Sequence, residues 1–473
     1  MRKALLPVLL LLLPVSARAQ GAAPVQPPAG AAGQFAMPPP PVVSDPMLAP
    51  VPPPKRVLSS WQEAITYLRA RSTDLKIALD AVLQAEAATR IALAAYLPNI
   101  GTTSAPFGGS ATHQLIVNPS SALGFTGSGF TSTSTLPIQN TASMSIQLQQ
   151  TLVNVQVFDQ ISIDELNEDA NRLSVDDKKR TLALGLANQI VAVVTAERSA
   201  DINRVGLKVA LEQLEITRRK QGLGAANGLD VVRAQQNAAN ARATLVTGDE
   251  TLREAREALG LALGIPEEVG VAPSVNVDGL AQNAMASCQA VKDVDDRPDI
   301  ASAHTNLDVA KRNLRNVWFS FLPTVYAQST ASGGAPVPTG YPNPTWNVQA
   351  ILSIPLWDGG VRYGNLRNAR AAEDIAAQTL ESLRRAALIQ VQQAQRQLVV
   401  AELSDKVATE QRDLAALNDQ MTQTAYTVGQ GTSLELVTAS EAHRQAELNL
   451  ALSDFGVVKA RLLAVLALAT CPW

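Results

Sequence analysis

The chain has 473 residues, a formal net charge of −3 and only 17% charged side chains. Such a balance offers no basic field and excludes nucleic acid as a partner. Three His and two Cys, at no recognisable ligand spacing, exclude a metal site of ordinary type and leave no call for a cofactor.

Arg2 and Lys3, the apolar run Leu5 to Leu13 and the small-x-small site Ala17-Arg18-Ala19 predict a secretory signal over residues 1–19. The run is shorter than the roughly 20 apolar residues of a spanning helix. No Cys follows it, so no acylated mature N-terminal Cys is expected. Residues 20–56 are a Pro-rich, nearly uncharged leader, densest at Pro38 to Pro41 and Pro52 to Pro54. It cannot bury a core and is expected to be extended and disordered. Export places the chain in an oxidising compartment, where a disulfide between Cys288 and Cys471 is allowed; two unpaired structural thiols are the alternative.

Two windows carry no Asp, Glu, Lys or Arg: between Arg90 and Asp159, and between Arg315 and Asp358. Each contains period-2 alternation, as in Ser143 to Gln149, where Met144, Ile146 and Leu148 share a face. In a soluble sheet, Lys and Glu on the wet face are cheap. At bilayer depth a lipid-facing Lys or Arg costs about 2–4 kcal/mol. Each window is therefore expected to be a membrane hairpin, one from about Leu97 to Phe158 and one from about Phe321 to Trp357. Four strands cannot close a barrel, and an open sheet edge cannot sit in lipid, so oligomerisation follows.

The rest is Ala-, Gln- and Leu-rich. Asp159 to about Gln221 and Arg362 to about Val428 lack Pro and predict helices of roughly 90–100 Å. Such length means coiled coil. Val400, Val407, Leu414, Met421 and Val428 recur every seven residues, as do Ala387, Ala394, Ala401, Ala408 and Ala415.

The chain repeats itself. Asp74, Ala85, Arg90 and Leu97 match Asp299, Ala310, Arg315 and Leu322 at an offset of 225. Phe158-Asp159 matches Trp357-Asp358 at 199, and Gly224, Leu229 and Asp230 match Gly429, Leu434 and Glu435 at 205. Repeat 1 is assigned to residues 57–266, an equatorial connector to 267–297 and repeat 2 to 298–473. Each repeat reads helix, hairpin, long helix, turn, helix. The change of offset predicts a second long helix about six residues longer than the first.

The glycine-rich stretch Gly222 to Gly228 has the wrong spacing for a phosphate loop and reads as a helix–helix turn. No nucleophile–base–orienter set and no HExxH motif occurs, so no catalytic residue is assigned and the chain is not read as an enzyme.

Together, "AAYLPNI", "RPDI", "FSFLPTV", "LSIPLWDGGVRYGNLRNARA" and the turns "QGLGAANGLDVVRAQQ" and "AYTVGQGTSLELVTAS" resemble the TolC family of outer-membrane efflux proteins. The resemblance covers nearly all of the chain after the leader. It implies a mainly α fold with membrane β structure: a long α-helical coiled-coil barrel joined to a transmembrane β-barrel of four strands per protomer. It implies a homotrimer in the outer membrane of a Gram-negative bacterium, with a periplasmic extension. Such a trimer is the exit duct of a tripartite efflux or type I secretion system. Its partners are a periplasmic adaptor (a membrane fusion protein), an inner-membrane pump and outer membrane lipid. The tips that meet the adaptor would include Leu223, Gly224, Leu229, Gly429, Thr432 and Leu434.

Asp230 and Glu435 match the family's acidic positions after the turn and would narrow the pore as a negative ring. Equally, each acid in the first turn of a helix is an N-terminal cap. Tyr426 matches a Tyr of the family's closed-tip latch. Gly431 stands where that latch has Arg, so one link is either missing or moved to Arg219 or Lys220. Thr438 stands where a second acidic ring would be. The alternative to a duct is a non-conducting periplasmic coiled-coil adaptor or scaffold, which would carry a small soluble β-domain instead of uncharged hairpins.

Overall fold

The computed structural model describes residues 41–108, 141–273, 275, 279–336 and 344–473. The signal, the leader to residue 40 and the first hairpin's loop lie outside them. The chain divides after Val42, and the unit from Val43 to Trp473 is the one described here.

Its strands are β1 (Arg56–Leu58), β2 (Asn99–Gly108), β3 (Thr141–Val153), β4 (Val269–Val271), β5 (Gln289–Ala290), β6 (Thr324–Pro336), β7 (Thr345–Ser353) and β8 (Ala469–Thr470). Its helices are α1 (Trp61–Arg71), α2 (Thr73–Ala94), α3 (Val155–Gly222), α4 (Gly228–Ala262), α5 (Leu280–Ser287), α6 (Pro298–Phe319), α7 (Val361–Thr427) and α8 (Ser433–Leu466).

Pro98 and Pro323 end the short helices α2 and α6 and feed β2 and β6. The two hairpins join in one antiparallel sheet of order β2-β3-β6-β7. No strand of this sheet carries a charged side chain. Asn154 then starts α3 by accepting from the Gln156 and Val157 amides.

The second long helix is not the longer one, contrary to the offset. α3 has 68 residues and α7 has 67. The extra residues lie in the non-helical stretch Ile354 to Gly360. Pro355 and the positive-φ pair Gly359 (φ 70°) and Gly360 (φ 93°) keep that stretch out of the helix.

The long helices run the full length of a four-helix wall. Toward the sheet the order is α2-α3-α6-α7; toward the far tip it is α4-α3-α8-α7. The short helices thus stack end to end beside continuous α3 and α7. Along α7 the alanine stripe packs inward, with Ala387, Ala394 and Ala408 buried.

A collar of short elements packs against the middle of the wall. Leu58, Trp61, Leu68, Ile190, Leu263 and Leu462 form its core, and β1 pairs in parallel with β4. The start, middle and end of the unit all contribute, so the collar exceeds the connector 267–297. Cys288 and Cys471 form a disulfide (Cα–Cα 4.0 Å) beside the antiparallel β5–β8 pair.

The motif Arg297-Pro298-Asp299-Ile300 opens α6, with Pro at the first turn. Arg297 is buried, pairs with Asp299 and donates to Gln390 (3.2 Å) and the Ala467 carbonyl (3.3 Å). It therefore binds α6 to α7 and to the end of α8. Arg297→Ala removes the charged partner of the partly buried Asp299, which keeps the Ile300 amide at 3.0 Å, so we expect a loss of about 1.5–3 kcal/mol, read as a drop in thermal midpoint.

Residues 43–55 correct the expectation of a disordered leader to residue 56. They lie as a strap along α3 and α4. Val43, Met47 and Leu48 pack on Leu207, Leu211 and Leu245. Arg242 pairs with Asp45 at 2.8 Å, and Arg256 donates to the Pro52 carbonyl at 3.1 Å. The apolar face of a helix pair supplies what the strap cannot bury alone. The Met47 amide and Arg242 hold the Asp45 carboxyl below its usual range. The anchor is therefore intact above the ordinary carboxylate range and is lost as pH falls through the lowered value. Asp45→Asn is expected to raise hydrogen exchange over Asp45 to Leu48 at neutral pH, with the collar unchanged.

Candidate functional site

The two helix–helix turns build one tip. α3 ends as Gly224 (φ 75°) turns the chain, with the Ala225 amide donating to the Lys220 carbonyl at 2.8 Å. α7 ends the same way: Gly429 has φ 82°, and the Gln430 amide donates to the Ala425 carbonyl at 2.9 Å. Glycine takes this left-handed conformation without a Cβ penalty.

Both following helices start with capping boxes. Asn227 accepts from the Asp230 amide (2.9 Å), and Asp230 accepts from the Asn227 amide (3.3 Å). Thr432 Oγ1 accepts from the Glu435 amide (3.2 Å), while Glu435 Oε2 accepts from the Thr432 amide (2.8 Å). The Thr432 amide and hydroxyl hold the Glu435 carboxyl below its usual range. Asp230 and Glu435 thus cap helices.

At the tip, two links cross between the helical hairpins among the described residues. Lys220 Nζ donates to the Tyr426 carbonyl at 2.9 Å and sits 3.5 Å from the centroid of the Tyr426 ring. Ser433 donates its hydroxyl to Asp230. Sequence reasoning had no signal for Ser433, because only the fold brings it to Asp230. Arg219 does not cross: it pairs with Glu215 on its own helix at 3.0 Å. Burial pushes the Lys220 ammonium below its usual value. Tyr426 is buried, and its hydroxyl has no hydrogen-bond partner among the described residues.

Gly431 lies where the turn folds back on α7. A Cβ there would stand 3.0 Å from the Tyr426 nitrogen and 3.2 Å from the Ala425 carbonyl carbon. A bulkier side chain at 431 requires this turn to shift, which gives a local reason for glycine there. Leu223, Leu229 and Leu434 are exposed at the tip, with Gly224, Gly429 and Thr432 between them.

At the opposite end, aromatic rings pack tilted or edge-on where helix meets strand: Tyr96 against Phe158 (4.7 Å), Trp318 against Phe321 (5.7 Å) and Phe321 against Tyr363 (5.5 Å). On the sheet, Ile100, Met144, Ile146, Leu148, Trp346 and Val348 are exposed. The pairing register places them on one face. No helix among the described residues is long and apolar enough to cross a membrane. No group of three or more His, Cys, Asp or Glu among them could hold a metal.

The structure is thus a long two-hairpin helical wall that carries an uncharged sheet with one apolar face. The solved structures agree in fold. The chain aligns with CusC at 18% identity and TM-score 0.71, covering 86% of this chain and 91% of CusC. It aligns with the outer membrane protein VceC of Vibrio cholerae at 15% identity and TM-score 0.68, covering 86% and 95%. It aligns with the Campylobacter jejuni CmeC outer membrane channel at 16% identity and TM-score 0.65, covering 85% and 86%. No curated protein matches the sequence. The sequence matches the outer membrane efflux protein family over residues 64–265 and 294–463. The chain belongs to that family of channel proteins, and it is an outer-membrane exit duct for efflux with a periplasmic helical extension.

Proposed function

We propose that three copies close into one duct that carries cargo passively from an inner-membrane pump and a periplasmic adaptor to the outside. One observation carries this reading: the protomer is open along the same two edges throughout. In the sheet, β2 and β7 lack a partner on their outer sides among the described residues. In the wall, α7 forms one edge along its whole length, with α2 and then α4 at the other. Val400, Val407, Leu414, Met421 and Val428 on α7 are 60–66% exposed in the single protomer. Ile77, Leu83 and Ile91 on α2, and Val232 and Val246 on α4, are exposed in turn.

A head-to-tail contact of α7 with the next copy's α2 and α4, and of β7 with its β2, buries both stripes and removes both edges. Three copies make a twelve-stranded barrel, an even number above the closing minimum of about eight. An adaptor or scaffold that conducts nothing has no use for an uncharged sheet with an apolar face. Planar-bilayer recording of the purified oligomer tests the duct: discrete channels are expected, and none at all would end this reading.

At the tip, threefold symmetry would bring Asp230 and Glu435 round the axis as a constriction that favours cations. Leu223, Leu229 and Leu434, with the adjacent glycines and Thr432, form the surface offered to the adaptor. Lys220 and Tyr426 form the latch that ties the two hairpins closed, with Asp230 and Ser433 as a second tie. Arg219, bound to Glu215 on its own helix, does not cross. Losing Lys220 removes a cation–π contact and a charged hydrogen bond, about 2 kcal/mol per protomer, or roughly 30-fold in the closed-to-open ratio. Lys220→Ala is therefore expected to raise open-state occupancy and conductance. Tyr426→Phe keeps both the ring and the carbonyl and should leave conductance unchanged. Equal effects of the two would refute this latch.

A further inference from the structure

The sheet's register places four amide side chains in one line across all four strands. Asn99 pairs with Gln149, Gln149 with Gln328, and Gln328 with Gln349. Directly opposed residues share a face. Gln349 Nε2 donates to Gln328 Oε1 at 3.2 Å, so two of them already touch. The neighbouring row carries Gln147 and Asn347 on the same face. The other face holds Ile100, Ile146, Leu148, Trp346 and Val348, which are exposed and suit lipid. The amides therefore face the lumen once the barrel closes. The belt lies a few residues from the helix junctions, since α3 begins at Val155 and β7 ends at Ser353. It sits where the helical tube opens into the barrel.

We propose that this belt is a contact ring for uncharged cargo rich in hydroxyl or amide groups, and that the membrane barrel makes no ion selection of its own. The proposal rests on the threefold closure argued above, which turns four amides into twelve. Each Gln or Asn offers two N–H donors and a carbonyl acceptor and carries no charge. Such a ring can exchange water for cargo hydrogen bonds at little cost, and it neither attracts nor repels an ion. A twelve-stranded barrel is on the order of 25 Å across between backbones. Glutamine side chains reach far enough inward to narrow it to the order of 15 Å, so a sugar-sized solute would touch the ring. Gln147, Thr330 and Asn347 continue the same chemistry one row away. Ion preference is then left to Asp230 and Glu435 at the tip.

The test is single-channel recording of the purified full chain with maltohexaose as the probe, beside reversal potentials in a KCl gradient. The wild type should show concentration-dependent, reversible current block. The triple variant Gln149→Ser, Gln328→Ser, Gln349→Ser should bind the probe about tenfold more weakly, the equivalent of one to two net hydrogen bonds, with an unchanged reversal potential. Asp230→Asn with Glu435→Gln should abolish ion preference and leave the block intact. Gln328→Ser alone, which alters three side chains per pore, should lose a smaller part of the block; it serves if the triple variant does not insert. Unaltered block in an inserted belt variant, or ion preference that survives neutralisation of the tip, would overturn the belt. Absence of any wild-type channel would instead overturn the duct reading, so the two failures are distinguishable.

Discussion

Replacing Val407 and Leu414 together with Asp is expected to leave the purified protein monomeric and without channel activity. Both side chains face away from their own protomer, 64% and 60% exposed, so the single copy loses little. In the assembled wall each would bury an apolar surface whose removal from water contributes about 1.5–3 kcal/mol. The change also brings two unpaired carboxylates into each of three seams, at further cost. The helical signature of the monomer should survive, because the buried alanine stripe on the same helix is untouched. Light scattering in detergent reads the mass. A stable trimer carrying both substitutions would show that α7 does not form the seam.

Two adjacent residues of β3 should behave in opposite ways. Leu148→Lys points an ammonium at lipid, at about 2–4 kcal/mol in each of three protomers. We expect failure of insertion or loss of the heat-resistant oligomer. Gln147→Lys points into the lumen, where water and counterions are at hand. It should insert normally and shift the reversal potential toward anion preference. The register supports the contrast, pairing Leu148 with Ser329 on one face and Gln147 with Thr330 on the other. Equal tolerance of the two substitutions would remove the assignment of faces.

Most of the tip was legible from residue types, because its chemistry is local. Gly224 and Gly429 are needed for positive φ, and Asn227, Thr432, Asp230 and Glu435 stand at capping-box spacing. What sequence could not decide was which basic residue crosses to the second hairpin. Arg219 and Lys220 are neighbours on one helix, yet the turn of that helix aims Lys220 at Tyr426 and leaves Arg219 beside Glu215. The partnership of Ser433 with Asp230 spans 203 positions and has no local signature. The length of the second long helix was misread for a related reason. An offset counts residues between landmarks, whereas Pro355 and the Gly359-Gly360 pair decide how many of them are helical.

By itself the sequence predicts the long helices, the two uncharged hairpins, their doubling and more than one copy. Each of these follows from local periodicity or from the cost of a charge or an open edge in lipid, and neither requires knowing what lies beside what. Only the tertiary structure decided the features that join distant segments. The strap of residues 43–55 found an apolar groove that its own composition could not supply. The disulfide joined Cys288 to Cys471 across 183 positions because β5 and β8 pair at the collar. The amide belt needed the register of all four strands, since a slip of one residue would have turned every glutamine toward lipid.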